Sequence, residues 1–279
     1  MLRFRLTLGL ALAGMALAAC RAQPQPTAIP TQLLPTSTAT VNPTDAVIVP
    51  TATPPATSTP EPSATPTPVP TATPTAPPTP DPNEGVGDVV FKDNLDGTGG
   101  WYWTFEDDAA SFRVSLEEKQ LNATAKRSGT WRFSISPDTV KVGDQQIRVS
   151  AHTNLCADAD EYALLFRGVA DAESNYTFYA FKMRCNGAAR LELLSGNNVT
   201  VIGDWTSSTA IKPGVGVDNI VTVWAHKDQM RFYVNDQYLF SAQDATLAEG
   251  FYGFLLYDRT NGNMSVSWKG LEAKAVSVP

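Results

Sequence analysis

From Val89 to Trp268 the sequence alternates apolar and polar residues with a period close to two, punctuated by turn formers. No apolar stripe recurs at the helical spacing of 3.6 residues. Successive side chains of a strand point to opposite faces, so such a chain can bury its apolar half only by stacking one sheet on another. The pattern predicts strands at 89–91, 111–116, 120–126, 131–135, 146–155, 162–167, 176–184, 189–194, 199–202, 220–225, 230–234, 238–241, 251–257 and 264–268. Residues 162–167 are apolar on both faces, as in a central strand covered from two sides. Asn186-Gly187 predicts a two-residue hairpin with both turn positions at positive φ, and Asn235-Asp236 predicts another turn. The fold class expected is all-β, a two-sheet antiparallel sandwich of jelly-roll type.

Upstream the composition changes. Of the 21 prolines, 17 lie between Pro24 and Pro80, in a Pro/Thr tract almost free of aromatics and charges. Such a segment cannot bury enough surface to offset its ordering entropy, so it is expected to remain an extended linker of polyproline II character. Arg3 and Arg5 precede a short apolar run that ends in Leu17-Ala18-Ala19-Cys20. This layout resembles a bacterial lipoprotein signal. The resemblance implies cleavage before Cys20, lipid on its thiol, and a membrane-anchored domain outside the cytoplasm. The alternative is an ordinary signal peptide or an uncleaved anchor. The division is therefore 1–19 signal, 20–84 lipidated N-terminus and stalk, and 85–279 one sandwich domain.

Arg3, Arg5 and Arg21 balance Asp45, Glu61 and Asp81, so the net charge of −7 belongs wholly to the C-terminal domain. An acidic domain without a basic stripe is a poor nucleic-acid binder. With Cys20 assigned to lipid, Cys156 and Cys185 are the pair left in an exported domain, and a disulfide between them is the expected state.

A more specific resemblance lies in an ordered set of short motifs. These are Phe91-Lys92-Asp93-Asn94-Leu95 with Gly99-Gly100-Trp101, then Tyr162-Ala163-Leu164-Leu165-Phe166-Arg167, Asn175-Tyr176, Trp205 and Pro213-Gly214. Asn219 to Val223, Phe232-Tyr233-Val234-Asn235, Asp244 and Gly250-Phe251-Tyr252-Gly253 complete it. Together, over about 88–278, they resemble the concanavalin A-like jelly rolls of bacterial lipoproteins, including a subgroup labelled 3-keto-disaccharide hydrolase-like.

The resemblance leaves catalysis in doubt. The Glu-x-Asp-x-x-Glu signature of glucanases with this fold, which aligns carboxylates on one strand, is absent. The hydrolase-like subgroup carries Asn-Ser-Gly where this chain has Ala159-Asp160-Glu161, although Arg167 matches that subgroup's arginine. No nucleophile elbow is present, and the two histidines, His152 and His226, lie far apart. No cofactor is expected; calcium is an option at Asp93 with Asp96, or at Asp158 with Asp160, where the commoner fate of such loops is a solvated turn. Sugar rings dock on exposed aromatic faces, so the candidate ligand residues are Trp103, Trp131 and Trp205, with Arg167 and Lys182 as polar partners. Trp101 and Trp205 also belong to the shared fold pattern, whereas Trp224 and Trp268, inside strands, are expected in the core. Three functions remain open: a lectin-like module for carbohydrate or envelope glycan, a structural or protein-interaction domain, and a glycoside-active enzyme.

Overall fold

The computed structural model describes residues 78–102, 104 and 111–278. Cys20, the signal segment, the Pro/Thr tract up to residue 77 and the candidate Trp103 lie outside them. Among the described residues there is no helix, and fourteen strands follow one another. They are β1 (Val86–Asp93), β2 (Phe112–Glu117), β3 (Gln120–Ala125), β4 (Trp131–Ile135), β5 (Gln145–Leu155), β6 (Glu161–Ala170) and β7 (Tyr176–Arg184). The second half adds β8 (Ala188–Ser195), β9 (Asn198–Ser207), β10 (Val217–His226), β11 (Gln229–Val234), β12 (Gln237–Gln243), β13 (Phe251–Tyr257) and β14 (Met264–Val276).

The strands form two antiparallel sheets, as the alternation requires. The back sheet has the order β12-β11-β10-β5-β14-β3-β2, with β1 also paired to β14, and the front sheet has the order β4-β13-β6-β7-β8-β9. Between them lies one core. Leu164, Phe166, Phe181 and Leu191 from the front sheet meet Val223, Phe232, Val266 and Ala273 from the back. Trp101, Phe254 and Trp268 form a stack of three rings through it, with centroid spacings of 5.2 and 4.8 Å. Trp101 is held there by Asp93, which accepts from the Trp101 indole N–H at 2.8 Å and from the Leu95 amide at 2.6 Å. The loop between them needs Gly99, because a Cβ there would lie 2.2 Å from the Asp93 carboxylate.

The turns carry one surprise. Asn235 and Asp236 both adopt positive φ (51° and 62°), as a two-residue hairpin demands. At the β7–β8 hairpin only Gly187 does (φ 89°): the Gly187 amide bonds back to the Arg184 carbonyl, so the chain turns on Cys185 and Asn186. This is the longer hairpin form, a turn followed by one left-handed glycine. Cys185, drawn into the turn, is bonded to Cys156 beyond the end of β5, with Cα atoms 6.0 Å apart. The expected disulfide thus joins the front-sheet hairpin to the end of a back-sheet strand.

The outward face of the back sheet is mostly a polar ladder. Asn154 donates to Ser267, Ser267 donates to Asn122, and Thr124 and Ser265 share a hydrogen bond. Where that face is apolar, at Trp224, Tyr233 and Val276, the incoming chain covers it. The Trp224 indole donates to the Glu84 carbonyl and the Tyr233 hydroxyl to the Pro80 carbonyl. The last residues of the Pro/Thr tract therefore lie against the back of the sandwich.

Candidate binding hollow on the front sheet

The front sheet differs because many of its outward positions are apolar. Ile135, Ala163, Leu165, Phe178, Ala180, Leu194, Phe251 and Leu255 form a second apolar cluster on that side, so β6 is buried on both faces. Register places the rest. Tyr257 pairs with Trp131 and Leu255 with Phe133, while Ala163 lies opposite Lys182, which lies opposite Arg190. Glu161 is opposite Arg184, and Glu192 opposite Ala180. A hollow of about 420 Å³ results, floored by aromatics at one end and charges at the other.

The aromatic end is built on Trp131, Phe133, Tyr176, Phe178 and Tyr257. Phe133 packs edge-on against Phe178 and Tyr176, with centroids 5.2 and 5.7 Å away. Trp131 is 37% exposed and forms a shelf at the margin. Large aromatic side chains at outward positions with one face open are the usual dock for the C–H face of a sugar ring.

The charged end centres on two fully buried carboxylates. Lys182 bridges them, 3.3 Å from Glu161 and 2.6 Å from Glu192. Arg184 and Arg259 also reach Glu161, at 3.0 and 2.7 Å, and Arg190 pairs with Glu192. Burial pushes the Glu161 carboxyl up, but Lys182, Arg259 and Arg184 outweigh it and hold the group below its ordinary value. Trp205 backs this cluster, with the Arg184 guanidinium 3.8 Å and the Arg190 guanidinium 4.6 Å from its ring centroid. Arg259 lies over Tyr257 at 4.1 Å, which links the charged and aromatic ends. A guanidinium stacked on a ring keeps its in-plane N–H groups free for an acceptor.

Of the sequence candidates, Trp131 and Lys182 line this hollow, and Trp205 positions two of its arginines. Arg167 does not share the face. Alternation from Ala163 and Leu165 would place it on the same face as Lys182, opposite Phe178, but a bulge after Phe166 puts Arg167 at φ 50° and turns its side chain away. It is fully buried, donates to the Lys227 and Leu247 carbonyls at 2.7 and 3.2 Å, and pairs with Asp144 at 3.3 Å. Arg167 thus ties strand-end loops together. Glu161, Glu192, Arg190, Arg259 and Tyr257 were not singled out from the sequence, although a charge at an outward position of several apolar strands was the available signal.

The acidic loops have local employment. Asp160 accepts from the amides of Ala157 and Arg259 and from the Thr260 hydroxyl, and Asp96 accepts from Thr98. Asp158 is exposed, and its backbone carbonyl accepts from the Asn186 amide. Among the described residues, no three His, Cys, Asp or Glu side chains converge in a way that could hold a metal ion.

No family model matches the chain, and neither does any curated protein. Solved structures do. A protein of unknown function with a galectin-like fold from Bacillus subtilis superposes with a TM-score of 0.53 at 10% identity, over 70% of this chain and 99% of that one. A GlcNAcα1-4Gal-releasing endo-β-galactosidase from Clostridium perfringens superposes with a TM-score of 0.50 at 11% identity, over 72% of this chain and 66% of that one. The carbohydrate-binding module CBM66 from Bacillus subtilis gives 0.47 at 15% identity, over 61% and 99%. What the chain has in common with the first two is the fold, a two-sheet antiparallel jelly-roll sandwich.

Proposed function

We propose that this domain is a carbohydrate-binding module that holds a glycan in the front-sheet hollow. The observation that carries the reading is the aromatic shelf of Trp131 and Tyr257 set beside a cluster of fixed charged hydrogen-bonding groups, in a sheet whose outward face is otherwise apolar. Aromatic faces take the apolar side of a pyranose, and charged side chains take its hydroxyls. Support from the fold is that one superposable protein, the endo-β-galactosidase, acts on a glycan.

A hydrolytic reading fits the carboxylates less well. Glycoside hydrolysis needs a general acid whose pKa is raised, whereas Glu161 is held low by three cations and has no exposed surface. The domain is also proposed to be displayed outside the cell membrane through lipid on Cys20. Residues 80–84 run along the back sheet, on the face opposite the hollow, which supports this reading.

A glycan array probed with the full chain, with and without calcium, tests binding. The expected result is a defined group of ligands whose signal falls in Trp131→Ala; no binding across a broad panel would return the domain to a structural or protein-interaction role. For the anchor, Cys20→Ser is expected to release the protein from membranes, and unchanged retention would refute lipidation.

A further inference from the structure

Charge in the hollow does not balance. Around Glu161 and Glu192 stand four cations, Lys182, Arg184, Arg190 and Arg259, in a chain whose overall charge is −7. Lining the cavity itself are Lys182, Arg190 and Arg259 against Glu192 alone. The other carboxylates close by keep their charge but do not line the cavity. Asp160 and Asp258 are turned to backbone amides around Thr260, and Asp204 accepts from the Trp205 amide. These lining cations are also partly shielded from water, since the side chains of Lys182, Arg190 and Arg259 are 6%, 16% and 35% exposed. A cavity lined by more cations than anions, whose side chains have lost much of their hydration, favours an anion in it.

We propose that the hollow selects glycans bearing an anionic group, a uronate carboxylate or a sulfate or phosphate ester. This rests on the carbohydrate-binding reading above and names the class of glycan. The sugar ring lies on Trp131 and Tyr257, and its anionic substituent projects toward Arg190 and Arg259. Both guanidiniums are held by aromatic rings, so little side-chain freedom is lost when they close on an oxyanion. Lys182 is committed to two carboxylates and fixes their positions.

The test is calorimetric titration of the full chain in detergent micelles with three tetrasaccharides: an α-1,4-galacturonan, the neutral α-1,4-galactan of the same linkage, and a chondroitin sulfate fragment. At least one acidic tetrasaccharide is expected to bind at least about tenfold more tightly than the neutral one, and added salt should narrow the gap. Arg190→Gln and Arg259→Gln, each checked for a native circular dichroism spectrum, should bring the acidic-to-neutral ratio toward one. Lys212→Gln, at an exposed position outside the cavity lining, should leave the ratio unchanged. Equal affinity for neutral and acidic ligands would overturn anion selection while leaving carbohydrate binding intact. Equal losses from Arg190→Gln and Lys212→Gln would reduce the effect to diffuse electrostatics. Failure of the folded chain to bind any of these ligands, together with an empty array, would overturn both readings.

Discussion

The two outward faces of this sandwich are built from opposite materials. On the back sheet, outward positions carry Ser150, His152, Asn154, Thr222, Ser265 and Ser267, which bond to neighbouring polar groups or face water, and the entering chain covers the apolar exceptions. On the front sheet, the same kind of positions carry Phe178, Leu194, Leu255 and Phe133, with two buried glutamates among four cations. A sheet face meant only for solvent has no reason to bury carboxylates, because removing a charge from water is costly unless partners fix it in place. The contrast sets the proposed binding face on the front sheet, opposite the face along which residues 80–84 run.

The comparison breaks most visibly at Glu161. Replacing it with Gln leaves Lys182, Arg184 and Arg259 without their shared anion, and a loss of about 3–5 kcal/mol in urea unfolding is expected, as for a broken buried pair. The wild type should show the same dependence through pH. With the folded carboxyl depressed, its contribution is complete above the ordinary value of 4.5 and disappears as pH falls below it, toward the depressed value. The Gln variant should lose less stability across that acid range, and parallel curves would show that the cluster is not coupled to folding.

Next in size is the Cys156–Cys185 disulfide, which joins the hairpin of the front sheet to a strand end of the back sheet. Replacing both cysteines by Ser should lower stability by roughly 3 kcal/mol on the loop-entropy model, read as a lower unfolding midpoint. Trp131→Ala separates the shelf from the scaffold. Binding of any array ligand should weaken roughly three- to tenfold, in line with the ~0.5–1.5 kcal/mol of an aromatic contact. Its unfolding midpoint should stay near that of the wild type, since Trp131 is 37% exposed, and a large loss of stability would mean a packing role instead. The smallest effect belongs to the back face. Arg148→Ala removes an exposed pair with Asp236 and should cost less than about 1 kcal/mol with no change in glycan binding. A binding defect there would erase the distinction between the faces.

Much of the architecture could be read before folding was considered. Alternation located all fourteen strands in order, because the side-chain direction along a strand is a property of the local backbone. Apolar residues on both faces of 162–167 marked a central strand, and β6 lies between β13 and β7. The site was less legible. Trp131 and Lys182 could be named from residue type, but Glu161 and Glu192 lie on different strands, and Arg259 comes from the turn after β13.

Alternation and turn chemistry, which need only near neighbours, thus determined that the chain forms a two-sheet sandwich, with Cys156 and Cys185 available for bridging. Pairing register and bulge position depend on contacts between residues far apart in sequence, and these only the tertiary structure decided. Register brought five strands and three of the connecting turns together around one hollow, and a single bulge removed Arg167 from it. The identity of the cationic cluster is therefore a property of the folded sheet, since no local stretch of the chain contains it.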